Sequence, residues 1–135
     1  MANAMFDKGR QKFLEGSIAW LTDNIKFVLV DTGAYTVDLA NHEFLSDIPG
    51  GARIATSANL SSKTSTAGHA DAADEILTSV SGASCEAVIF YKDTGNAATS
   101  PLFLYIDTGT GLPITPNGAN INVVFDNGTN KIFTL

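Results

Sequence analysis

Short apolar runs separated by turn residues make up most of the chain, and this pattern predicts β-strands. The run IKFVLV at Ile25–Val30 is continuous, which predicts a strand buried on both faces. After Gly51, seven further runs predict short strands. They are predicted at 52–60, 64–70, 75–81, 85–92, 101–106, 121–125 and 131–135. Seven or eight short strands favour a β-sandwich or a barrel.

The first residues of the chain have a helical pattern instead. Phe6, Phe13 and Leu14 recur at helical spacing with basic residues between them, which predicts a short amphipathic helix. We therefore expect residues 1–16 to form an N-terminal helical arm and residues 17–135 to form a single domain. Such an arm either covers one end of a sheet or grips a neighbouring subunit.

Two further local signals concern a helix and a turn. Residues 38–48 (DLANHEFLSDI) predict a second short helix, with Asp38 as its N-cap and Pro49-Gly50-Gly51 as its stop. Asn127-Gly128 lies between the last two predicted strands and is typical of a hairpin turn. The fold is thus expected to be mainly β with one or two short helices.

Composition limits the partners. The net charge is −6 and the eight Lys and Arg residues form no basic cluster, so we expect no nucleic-acid binding. No stretch of ~18 apolar residues occurs, so we expect no membrane span and a soluble protein made in the cytoplasm. Only 16% of residues are charged and 44% are hydrophobic, which an oligomer or a docking surface would explain. The single cysteine, Cys85, is expected to be a small buried core residue.

The triplet Asp-Thr-Gly ends three apolar runs, FVLVDTG, IFYKDTG and LFLYIDTG. Asp and Gly at the end of a strand are common turn residues, because Asp accepts hydrogen bonds from its own downstream backbone and Gly adopts a positive φ. The same triplet is the active-site signature of aspartic proteases, in which Asp31 would share a proton with its counterpart in a symmetric dimer. The recurrence at three strand ends, together with the lack of a supporting C-terminal segment, favours turns.

Other chemistry finds little support in the residue spacing. His42 and His69 are far apart and have no partner at ligand spacing, so no transition-metal site is expected. A weak calcium site near Asp71 and Asp74 stays open, although a solvated loop is the simpler interpretation. No phosphate loop, nucleophile elbow or other cofactor motif occurs, so we predict no cofactor and no catalysis.

Segments along nearly the whole chain resemble a family of small virion proteins encoded in tailed-phage and prophage structural gene clusters. The segments that carry the resemblance are FDKGRQKFLEG, IKFVLVDT, HEFLSDIPGGAR, AVIFYKDTG and SPLFLYIDTGTGLPITPNGANINVVFDNGTNKIFTL. Among such proteins, the resemblance implies a head decoration or cement protein on the exterior of the capsid. It also implies a β-sandwich of jelly-roll type, with seven or eight strands.

In that role the protein would bind the major capsid protein and itself, as a homodimer or homotrimer. The candidate contact residues are Phe6, Phe13 and Leu14 on the arm and Trp20, because aromatic residues are enriched among binding anchors. Trp20 is equally consistent with an ordinary core position.

Three alternatives stay open. A tail or baseplate component would share the fold and composition but occur in fewer copies. A carbohydrate-binding β-sandwich would need exposed aromatic side chains, for which Tyr35, Tyr91 and Tyr105 are candidates. A dimeric aspartic protease would use Asp31.

Overall fold

The computed structural model describes residues 4–109, 111–125 and 131–134. These residues contain one α-helix, α1 (Asp7–Leu14), and short 3-10 helices at Leu45–Asp47, Gly50–Ala52, Thr66–Gly68 and Ala97–Thr99. The strands are β1 (Ala4–Met5), β2 (Ile25–Val30), β3 (Arg53–Thr56), β4 (His69–Ala70), β5 (Glu75–Leu77), β6 (Ala87–Lys92), β7 (Leu102–Ile106), β8 (Ile121–Val123) and β9 (Phe133–Thr134).

Five strands form one antiparallel sheet, in the order β1-β7-β6-β2-β3. The remaining strands form two antiparallel ribbons, β4 with β9 and β5 with β8. The prediction of a mainly β protein is confirmed, and in the residues described the sheet does not close into a barrel. Each predicted strand region contains a strand, and β2 has the predicted bounds.

The two faces of the sheet are both buried, as the continuous apolar runs predicted. Phe27 and Leu29 of β2 belong to a cluster with Phe90, into which both ribbons also pack. Their neighbours on β2, Val28 and Val30, point to the opposite face because side chains alternate along a strand. There they are covered by side chains from the segment that links β2 to β3: Tyr35, Leu45, Ile48 and Ala52.

The helix predicted at 38–48 is wrong. Asp38 caps only a turn, accepting hydrogen bonds from Ala40 N and Asn41 N at 3.1 Å each. The chain then extends, because the backbone at Glu43 and Leu45 pairs with the segment that leads into β7: Leu102 N donates to Glu43 O, and Leu45 N donates to Ser100 O, both at 2.8 Å. A single 3-10 turn at Leu45–Asp47 follows. Long-range backbone pairing therefore replaces the local helix.

The N-terminal helix is present and packs directly on β7. Phe6, just before α1, donates its backbone N–H to Phe103 O at 3.0 Å, and its side chain is fully buried. A Cβ atom placed on Gly9 would lie 2.4 Å from Phe103 Cα, so helix and strand touch backbone to backbone. The described part of the arm thus shares the core of the rest of the chain.

The predicted hairpin turn at Asn127-Gly128 lies outside the described residues. On either side of it, β8 pairs with β5 and β9 pairs with β4. The two flanking strands thus belong to different ribbons.

Candidate docking surface

Few large apolar side chains are exposed among the residues described. They are Leu14, Leu21, Ile76 and Val124, with exposed fractions of 90%, 53%, 60% and 69%. Single exposed apolar residues are common on soluble proteins, whereas residues that share one face indicate a contact surface. The register of the β5–β8 ribbon decides which of these residues share a face.

The outward side of the β5–β8 ribbon carries two of the four. In the ladder Ile76 pairs with Asn122, while Leu77 pairs with Ile121 and both are buried. Val124 lies two residues beyond Asn122, so in the extended chain it points to the same side as Asn122 and Ile76. We call Ile76, Asn122 and Val124 the ribbon face. It contains no charged residue.

Hydrogen bonds at both ends hold the ribbon in this register. At one end, Phe125 N donates to Asp74 Oδ1 at 2.9 Å. At the other end, Val80 N donates to Ala119 O at 3.1 Å and Gly118 N donates to Val80 O at 2.7 Å. Because a slip by one residue would expose Leu77 and Ile121, burial also fixes the pairing. The apolar side chains of the ribbon face are therefore presented on a positioned scaffold.

The ribbon stands between two surface grooves. One has a volume of about 490 Å³ and separates residues 76–81 from strand β3. The other has a volume of about 820 Å³ and lies between residues 121–125 and the sheet residues Leu29, Val88 and Phe90. Space is thus available on both sides of the ribbon.

Glu75, next to Ile76 in β5, is partly buried, and this burial raises the pKa of its carboxyl above its usual range.

The four contact residues predicted from the sequence lie in different environments. Phe6 is fully buried, and Trp20 is 8% exposed and donates its Nε1–H to Thr64 O at 2.9 Å. Phe13 is half-buried and meets the Phe103 ring edge-on, with ring centroids 5.2 Å apart. Leu14 is exposed and available to a partner. The structure brings Phe13 and Trp20 together around Phe103 and Phe133, inside the core.

Two of the Asp-Thr-Gly triplets form hydrogen-bonded turns. Asp31 Oδ1 accepts from Gly33 N at 2.8 Å, and Asp93 Oδ1 accepts from Gly95 N at 3.0 Å. The triplets at Asp31 and Asp107 follow strands β2 and β7, whose carboxyl ends lie at the same end of the sheet with β6 between them. The Asp31 carboxylate is engaged by the backbone of its own turn, which is the turn role that the sequence favoured.

The aromatic residues offer no exposed ring in the described part of the chain. Tyr35, Tyr91 and Tyr105 are all buried, and burial raises the pKa of Tyr91 and of Tyr105 to about 12. The Tyr35 hydroxyl lies 2.7 Å from His42 Nδ1. These side chains therefore support the core rather than forming a stacking platform for a sugar ring.

The residues considered for a calcium site, Asp71 and Asp74, contact other parts of the chain. The Asp74 carboxylate accepts a hydrogen bond from Phe125 N, and Asp71 Oδ2 lies 3.8 Å from Lys131 Nζ. No group of three or more potential metal-ligating side chains occurs within residues 4–109, 111–125 and 131–134. Cys85 is buried as predicted, and burial raises the pKa of its thiol to about 11.

Sequence reasoning did not single out Ile76, Val124 or Leu21. The signal for the first two was present as alternation: in INVVF, positions 121, 123 and 125 point inward, which leaves Val124 on the other face. The apolar Val124 at an outward position of this strand was the sign that its outer face could meet a partner.

No model of a known protein family matches the chain, and no match is found among curated proteins. Within the residues described, no helix is long and apolar enough to cross a membrane.

Proposed function

We propose that this protein is a structural component of a tailed-phage virion. In this role it binds the outer surface of the head and stabilises it, as a decoration or cement protein without catalysis. The observation that carries the proposal is the ribbon face, where Ile76 and Val124 expose apolar surface on one side of a positioned ribbon. The likeness of the sequence to small phage virion proteins supplies the biological setting.

The physical basis of this role is surface burial. A specific protein contact typically buries ~800 Å² on each partner, with an apolar centre that is poor in charge. Ile76 and Val124 have the chemistry of such a centre, and Asn122, opposite Ile76, provides a hydrogen-bonding amide. Repeated over many copies on a shell, contacts of this size would oppose the pressure of packaged DNA. The acidic net charge of −6 suits a position away from the nucleic acid.

The proposed fold is a β-sandwich of jelly-roll type. Both ribbons pack on the same face of the five-stranded sheet, through Phe133 of β9 and through Leu77 and Ile121 of the β5–β8 ribbon. This arrangement is what a second layer of a sandwich requires. In it, the ribbon face becomes the outer surface of the second layer, where a coat subunit can reach it.

Binding to isolated heads tests the proposal. Heads without the protein are mixed with the purified full chain and sedimented, and the bound copies are counted against the major capsid protein. The double variant I76D/V124D places two carboxylates at the apolar centre, and we expect binding to fall at least tenfold, or by about 1.4 kcal/mol. Both positions are exposed, so the stability of the chain should change by less than about 0.5 kcal/mol.

The matched control is L14D, at an exposed apolar position on α1. Binding of L14D at the wild-type level supports the ribbon face, whereas loss of binding by L14D alone assigns attachment to the predicted N-terminal arm. Wild-type protein that does not bind heads refutes the decoration role. A saturating count of about a dozen copies per particle, rather than a simple fraction of the coat count, identifies a tail or baseplate component instead.

A further inference from the structure

Strand β3 is the outer strand of the five-stranded sheet. It pairs with β2 on one side, and within the residues described no strand pairs with its other side. An open strand edge presents backbone N–H and C=O groups that can pair with another chain. The chemistry of this edge therefore depends on which backbone groups point outward.

The ladder with β2 identifies Thr56 as outward-directed. Ser57 N donates to Phe27 O at 2.9 Å, so Phe27 and Ser57 form a hydrogen-bonded pair. In an antiparallel ladder hydrogen-bonded and non-hydrogen-bonded pairs alternate, which makes Val28 and Thr56 a non-hydrogen-bonded pair. The N–H and C=O of Thr56 accordingly point away from β2, towards the open edge. The Thr56 side chain is exposed as well.

The edge is accessible at Thr56 and carries little charge; the register shift at Ile54 leaves the end of β3 at Ala55 and Thr56 as the regular segment for pairing. A groove of about 490 Å³ separates Ala55 and Thr56 from residues 76–81 of the same chain, and Thr56 is exposed. Natural edge strands are commonly protected by Lys, by Pro or by other charges that hinder pairing. Here residues 54–62 (IATSANLSS) contain no charged residue and no proline, and Arg53 is the one charge within β3. Two copies of this segment can therefore meet without bringing like charges together.

We propose that β3 pairs with β3 of a second copy of this chain. The two strands run antiparallel about a two-fold axis and join two five-stranded sheets into one continuous sheet of ten strands across a homodimer. Charge favours a contact of this kind: the chain carries 14 acidic and eight basic residues, so two copies repel each other overall. An uncharged edge avoids that repulsion.

The geometry also closes the assembly at two copies. The opposite edge of the sheet is β1, which has two residues and leads directly into α1. A head-to-tail filament would need two long complementary edges, whereas pairing of β3 with itself uses one edge and is isologous. This inference does not depend on attachment to a phage head.

A proline substitution tests the pairing directly. Pro lacks the backbone N–H and is tolerated on an edge strand whose N–H faces solvent. T56P should therefore leave the monomer folded while removing the donor that the second copy needs. By sedimentation velocity of the full chain at about 50 µM, we expect a wild-type dimer and a T56P monomer, with the affinity of T56P for itself at least tenfold weaker. T56V keeps the N–H and a β-branched side chain, and it should stay dimeric.

A second variant covers the case in which T56P does not fold. T56K keeps the backbone and places a lysine from each copy near the two-fold axis, so it should also give a monomer. Amide hydrogen exchange at Thr56 should be slow in the dimer and should become faster on dilution. A wild-type monomer at this concentration, a trimer, or a dimer that persists in a folded T56P or T56K variant overturns the proposal. The single ribbon-face variant V124D is expected to stay dimeric because Val124 lines the other groove, so this test is independent of head binding.

Discussion

Replacement of Gly9 by alanine should destabilise the protein, although alanine is the better helix former. In an exposed helix, Gly to Ala gains roughly 1 kcal/mol. At Gly9 the new Cβ would lie 2.4 Å from Phe103 Cα and 2.6 Å from Leu102 O, while ordinary contact begins at 3.4 Å. The atoms it meets are backbone atoms of a central strand, so α1 has to move away by about 1 Å.

The cost of that movement exceeds the gain in helix propensity. Overpacking in a well-packed core typically costs about 1–3 kcal/mol. Moving α1 also weakens the edge-on contact of Phe13 with Phe103 at 5.2 Å, a type of contact worth about 0.5–1.5 kcal/mol. It further strains the hydrogen bond from Phe6 N to Phe103 O. We expect a net loss of about 2 kcal/mol in the free energy of unfolding, or roughly 5–8 °C in Tm.

Urea unfolding measures this loss through the fluorescence of Trp20, the single tryptophan, which is buried against Phe103. The matched control is G51A. Gly51 has no atom within 4 Å of a built Cβ and no positive φ, so its replacement should change stability by less than about 1 kcal/mol. A G9A variant that is as stable as the wild type, or more stable, would refute the backbone-to-backbone packing of α1 on β7.

Two further predictions concern charged side chains. Burial raises the pKa of Glu75, so the wild type loses stability as the pH rises through that value; E75Q should unfold at higher urea concentration at about pH 7 and match the wild type at about pH 3. The Lys26 ammonium, 2.9 Å from Asp93 Oδ2, and the Gly95 N–H lower the pKa of Asp93. D93N should therefore cost about 0.5–1 kcal/mol at about pH 7, and the difference should shrink as the pH falls through the lowered pKa of Asp93 and the wild-type carboxylate becomes protonated. For each variant, a difference that does not change with pH contradicts the assignment; urea midpoints across the pH range measure both.

Local chemistry was enough to predict the strands and the first helix. The continuous run at Ile25–Val30 specifies a strand buried on both faces, because every position needs an apolar environment whichever way it points. The Asp-Thr-Gly turns at Asp31 and Asp93 use hydrogen bonds between residues two apart, so the sequence contains all that they require. The amphipathic pattern of the first residues similarly contains the signal for α1.

Only the tertiary structure decided where the same local signals fail and which side chains remain exposed. The segment 38–48 has a helical pattern, but its backbone pairs with the chain leading into β7, some 55 residues further on. Phe6 and Trp20 looked like contact residues, yet Phe6 is buried in a cluster with Ile48 and Tyr105, and Trp20 packs against Phe103, all far away in sequence. Ile76 and Val124 emerged as a surface only once β5 was paired with β8. Helical and strand periodicity are local properties, whereas strand partners and exposure depend on contacts between distant residues, and these set the candidate docking surface.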